Sequence, residues 1–116
     1  MKTEHKTLKT IPIHYYVTGE NSSSCILFIH PAFADHRTFD TQVAFFSTTH
    51  KVITVDLLGH GQSQNIKTKD GIDNSSAPIK EIMDIERIDK AHLVGVSVGS
   101  LIAQDFANRY PAMVLS

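Results

Sequence analysis

Gly95-Val96-Ser97-Val98-Gly99 is the stretch of this sequence whose residue types and spacing could do chemistry. A G-x-S-x-G pattern alone arises by chance in a chain of this length about 4% of the time, so its surroundings must carry the weight. An apolar run leads into it and a helical pattern follows it. A serine at such a strand-to-helix turn is held in a strained backbone conformation that projects its hydroxyl from the end of a sheet. Glycines on either side lack Cβ atoms and let strand and helix approach closely. The following helix would aim its unbonded N–H groups at the serine, where they can stabilise developing negative charge. The chemistry implied is attack by a serine oxygen.

The elements that must position this serine are read from hydrophobic periodicity. Residues 11–17 (IPIHYYV) are β-branched and aromatic and read as a strand, with residues 2–8 as its hairpin partner. Residues 25–30 are a continuous apolar run of the kind buried on both faces of a parallel sheet, and residues 51–56 (KVITVD) and 91–96 (AHLVGV) read as a second and third buried-type strand. Between them, residues 35–47 place Phe39, Val43 and Phe46 on one helical face. Residues 18–24 and 57–75 read as loops. Ser76 is the expected cap of a helix that buries Ile79, Ile82 and Met83. Residues 98–110 form the last helix, with Leu101, Ile102 and Phe106 facing inward and Pro111 stopping it. Strands alternating with helices argue for a parallel α/β sheet with right-handed crossovers.

Three segments, in order and spacing, resemble the α/β-hydrolase family. They are Phe28-Ile29-His30-Pro31-Ala32-Phe33, then Asp56-Leu57-Leu58-Gly59-His60-Gly61-Gln62-Ser63, then the run from His92 through Gly95-Val96-Ser97-Val98-Gly99 to Ser100. The resemblance implies Ser97 as nucleophile. It implies the backbone N–H groups of Val98 and Ala32 as the two donors of an oxyanion hole. Each such donor is worth roughly 2.7–4 kcal/mol of barrier. Pro31 stands where the family has glycine, which alters the loop but leaves the Ala32 N–H in place. The family pattern makes His60 and His30 loop anchors and Asp56 a partner for backbone groups, rather than triad members. No cofactor and no metal is expected, since His5, His14, His36, His50 and His92 match no metal-ligand spacing.

In this family the chain order is Ser, then Asp or Glu, then His. The residues after Ser97 include one acid, Asp105, and no histidine. The expectation is therefore the N-terminal part of an α/β-hydrolase, an incomplete domain over residues 1–116 with little activity alone. Its substrate would be a small molecule with an ester, thioester or related acyl bond. Two alternatives stay open: a non-catalytic truncated or split product that binds a complementary chain, and a lyase or acyltransferase on the same fold. Residues 112–116 would form only a stub of the next strand, leaving an apolar sheet edge open to self-association.

Bulk properties exclude other classes. The formal net charge is −1 and no Lys/Arg block stands out, so nothing suggests nucleic-acid binding. The apolar runs are too short to cross a bilayer, and the N-terminus lacks a signal-peptide core. Cys25 reads as a small buried hydrophobe. These features fit a cytoplasmic protein.

Overall fold

The computed structural model describes residues 2–19, 24–63 and 75–116. Five strands form a sheet in the order β1-β2-β4-β3-β5. β1 (Thr3–Thr7) and β2 (His14–Thr18) are an antiparallel pair, and β2 runs antiparallel to β4 (Lys51–Val55). β3 (Cys25–Ile29) is parallel to both β4 and β5 (His92–Gly95). The expected parallel sheet with an N-terminal hairpin is present.

Side chains alternate across this sheet, and each face collects its own core. Leu27, Ile29, Ile53 and Val55 point one way, onto Ile79, Ile82 and Met83 of α2 (Ser76–Ile85) and Ile102 and Phe106 of α3 (Val98–Arg109). Ile26, Phe28 and Val52 point the other way, onto Phe39 and the half-buried Val43 and Phe46. Val43 and Phe46 belong to α1 (Asp40–Phe46).

Four local expectations are corrected. The first helical segment is split: His36–Phe39 is a 3-10 turn, and α1 begins only at Asp40. The cause is Asp35, whose carboxylate accepts the Arg37 N–H at 2.9 Å and draws the chain into a tighter turn. Ser76 does not cap α2, because Ser75 holds that position. Ser76 instead donates its hydroxyl to Asp105 at 2.6 Å, tying α2 to α3. Leu101 is not inward but 64% exposed, since Ile102 and Phe106, four residues apart, define the buried stripe of α3 one residue further round. Finally, β5 is only half-buried and covered on one face: α3 packs on it, while α1 sits over β4. Val94 and Val96 are consequently 39% and 44% exposed.

The edge of β5 is not wholly open. Residues 113–116 run along it, with Ala91 bridged to Val114. The Ala91 and Leu93 N–H groups donate to the Met113 and Ser116 carbonyls at 3.0 and 2.9 Å. Of the expected loops, residues 20–23 and 64–74 lie outside the described residues. Among the described residues, no helix is long and apolar enough to cross a membrane.

Candidate active site

Ser97 sits between β5 and α3 with φ 56° and ψ −120°. A positive φ is rare outside glycine and costs of order 1–3 kcal/mol, so the surroundings must enforce it. They do so by close packing. A Cβ on Gly95 would collide with the Gly99 carbonyl, and a Cβ on Gly99 with the Ile29 carbonyl. Both glycines of the motif are therefore sterically required. The turn is closed by Gly99 N–H to Val96 O at 2.9 Å and Ser100 N–H to Ser97 O at 2.9 Å. The Ser100 hydroxyl also donates to the Ser97 carbonyl, at 2.6 Å. The Ser97 side chain is exposed and makes no capping bond to its own helix.

The same packing brings in the loop that follows β3. Val96 N–H donates to Ile29 O at 3.2 Å, and Gly99 lies against the carbonyls of Ile29 and His30. The start of α3 thus abuts the first residue of the loop holding Pro31, Ala32 and Phe33. Among the described hydrogen bonds, neither the Val98 nor the Ala32 N–H has an acceptor. Two free amide donors and a free hydroxyl therefore belong to segments meeting at the C-terminal end of two parallel strands.

Two histidines brace that loop reciprocally. His30, fully buried, has Nδ1 2.7 Å from the Pro31 carbonyl, and its Nε2 accepts the Leu57 N–H at 3.0 Å. His60 has Nδ1 2.9 Å from the Leu58 carbonyl, and its Nε2 accepts the Phe33 N–H at 3.0 Å. A carbonyl partner demands a proton on Nδ1, and an amide partner demands a bare Nε2, so each ring is held as one neutral tautomer. Burial pushes the His30 pKa below its ordinary value; the Pro31 carbonyl opposes this and the neighbouring His60 adds to it. Neither ring has a nitrogen left to take a proton from Ser97. Both are anchors, as the family pattern implied. The brace also holds Phe33 at φ 63°, with its ring fully exposed.

Asp56 closes the rest of the arrangement. It is fully buried and accepts four hydrogen bonds: His36 N–H at 2.9 Å, His36 Nδ1 at 2.8 Å, Gln62 N–H at 3.0 Å and Tyr16 O–H at 2.7 Å. Burial works to raise its pKa, but the donors outweigh burial and hold it below the ordinary carboxylate value. Gly61 lies so close that a Cβ would strike the carboxylate. Asp56 thus ties β2, β4 and the loop before α1 together. Its partners Tyr16 and His36 carry no signal in the sequence, because they meet it only through the sheet order.

Asp35, His36 and Asp56 bring ligand-type atoms within 4.8 Å of one another. Their capacity is already used. The Arg37 guanidinium grips Asp35 at 2.7 Å and draws its pKa down to about 2, while Asp56 is saturated. His36 and Asp56 form an imidazole–carboxylate pair, but one far from Ser97. The ring stacks on Tyr16 of β2, three strand spacings from β5 and so roughly 14 Å away. Asp105 is engaged by Ser76 and Arg109 on the flank of α3.

A serine on a strained strand-to-helix turn, at the C-terminal ends of parallel strands with helices on both faces, defines an α/β protein with a sharp turn leading into α3. Residues 25–116 match the alpha/beta hydrolase fold family, and the chain belongs to that family. It is 33% identical over 95 residues to 3-oxoadipate enol-lactonase 1 of Acinetobacter baylyi, covering 82% of this chain and 35% of that protein. It is 30% identical to epoxide hydrolase 1 of Caenorhabditis elegans, covering 92% of this chain and 27% of that one. A probable alcohol acetyltransferase of Wickerhamomyces anomalus is 29% identical, covering 97% of this chain and 32% of its own length. Among solved structures, an N-acyl homoserine lactone degrading enzyme superposes with a TM-score of 0.85 at 28% identity, covering 97% of this chain and 42% of that one. The chain therefore spans about a third of the length of these curated relatives.

Proposed function

We propose that this chain supplies the nucleophile and oxyanion hole of a serine hydrolase acting on an ester, thioester or related acyl bond. The observation that carries the reading is Ser97 at φ 56°, its hydroxyl unbonded at the start of α3. Ser97 Oγ attacks the carbonyl carbon, and the carbonyl π pair moves onto oxygen. The Val98 and Ala32 N–H groups receive that oxyanion. Collapse expels the alkoxide or thiolate and leaves an acyl-serine, which water then cleaves. The same serine opening an epoxide would leave an ether, which water does not cleave readily. Serine chemistry therefore favours an acyl substrate, and the lactone-directed relatives support that choice.

Serine needs a base to take its proton and an acid to orient that base. His30 and His60 are committed elsewhere, and the residues after Ser97 contain no histidine. This reading places base and acid outside these 116 residues. The chain alone should then leave p-nitrophenyl acetate essentially untouched. Joined to the residues that supply the base, it should hydrolyse that ester, and Ser97→Ala should remove about a million-fold in kcat. Ester turnover by the joined protein that survives Ser97→Ala would overturn the proposal.

The acetyltransferase relative favours a second reading, in which an alcohol rather than water accepts the acyl group from Ser97. Product analysis with ethanol present separates the two: acetate alone marks a hydrolase, ethyl acetate an acyltransferase.

A further inference from the structure

One face of the N-terminal hairpin gathers residues that are scattered in sequence, with His5 and Thr7 exposed, His14 half-buried and Tyr16 buried. The register places Thr7 opposite His14 and His5 opposite Tyr16. Side chains two apart on a strand share a face, so His5, Thr7, His14 and Tyr16 form a square on one side of the sheet. His5 Nε2 lies 2.6 Å from His14 Nδ1, and Thr7 Oγ1 lies 3.4 Å from the same nitrogen. Lys6, between them in sequence, projects to the opposite face, where it bonds Glu86 at 2.9 Å.

We infer that His5 and His14 form a two-imidazole site for a borderline divalent transition ion, such as copper or zinc, with Thr7 and water completing the coordination. Two imidazole nitrogens bound side by side at about 2.1 Å from one ion stand roughly 3 Å apart, a few tenths more than the separation here. The ion would lie between the two nitrogens in place of the hydrogen bond that now joins them. Imidazole suits copper, zinc and nickel, whereas calcium and magnesium demand oxygen ligands.

The site is held by its surroundings. The His14 N–H donates to the buried Ser63 hydroxyl at 3.0 Å. His5 stacks on the Tyr16 ring at 4.6 Å, and Tyr16 is pinned by its hydroxyl to Asp56.

The test is copper titration of the untagged chain at pH 7.5, followed by electron paramagnetic resonance. One equivalent should bind with the signature of two nitrogen ligands. His5→Asn and His14→Asn should each weaken binding at least tenfold and lose the two-nitrogen signature, with unchanged far-ultraviolet circular dichroism. His50→Asn and His92→Asn should keep both. A one-nitrogen spectrum, binding that survives His5→Asn, or equal losses in all four variants would overturn the assignment. If either hairpin variant fails to fold, Thr7→His decides: a third imidazole should tighten binding, and no change in affinity would overturn the site.

Discussion

At the scale of single residues, the arrangement spends stability to hold a few groups in chosen states. Ser97 is the clearest case, because the φ of 56° suits glycine better than serine. Ser97→Gly should therefore raise stability by about 1 kcal/mol, measured by urea denaturation, while removing the hydroxyl on which the proposed function rests. His30 shows the same logic in protonation. Its folded pKa is lowered, so below about pH 6.5 the unfolded chain takes up the proton more readily than the folded one. Its contribution is complete above that pH and is lost as the pH falls toward the lowered folded value. A melting-temperature series should show a decline below pH 6.5 that is flatter in His30→Asn. Asp56→Asn keeps the shape but turns an amide donor toward two donors. With charged hydrogen bonds worth about 1.5–3 kcal/mol each, the loss should reach about 3 kcal/mol in the same denaturation assay.

At the scale of elements, most of the fold was legible because two periodicities are hard to confuse. Residues 25–29 are apolar throughout and residues 52–55 nearly so, and burial on both faces explains why. The α2 stripe of Ile79, Ile82 and Met83 fell where the spacing put it. What periodicity could not show was coverage. Leu101 is apolar and lies beside the true stripe, and nothing local reveals that no element of the described chain covers it. Ser97 and its glycines were legible because the motif is contiguous. The Asp56–His36–Tyr16 cluster and the His5–His14 pair were not, since they depend on strand order and register. The glycine contacts yield a direct prediction. Gly99→Ala should drive α3 from the end of β3 and cost about 1–3 kcal/mol or more, seen as a lowered melting midpoint.

At the scale of the whole molecule, apolar exposure is uneven. Val94 on β5, Val96 on the turn after it, Leu101 on α3 and Leu115 on the segment paired with β5 are all exposed. Such clustering favours association. The isolated chain should sediment as more than a monomer, and Leu101→Lys with Val96→Thr should shift it toward monomer. A sharp two-state melt of a monomer by the unmodified chain would show that this surface needs no partner.

In the proposed function, Ser97 presents an activated hydroxyl between two amide donors. The most direct measurement is fluorophosphonate labelling of the chain joined to the residues that supply its base, read by peptide mass spectrometry. One adduct should appear, on the peptide containing Ser97, and vanish in Ser97→Ala. An adduct on a different residue, or none while ester hydrolysis proceeds, would contradict it.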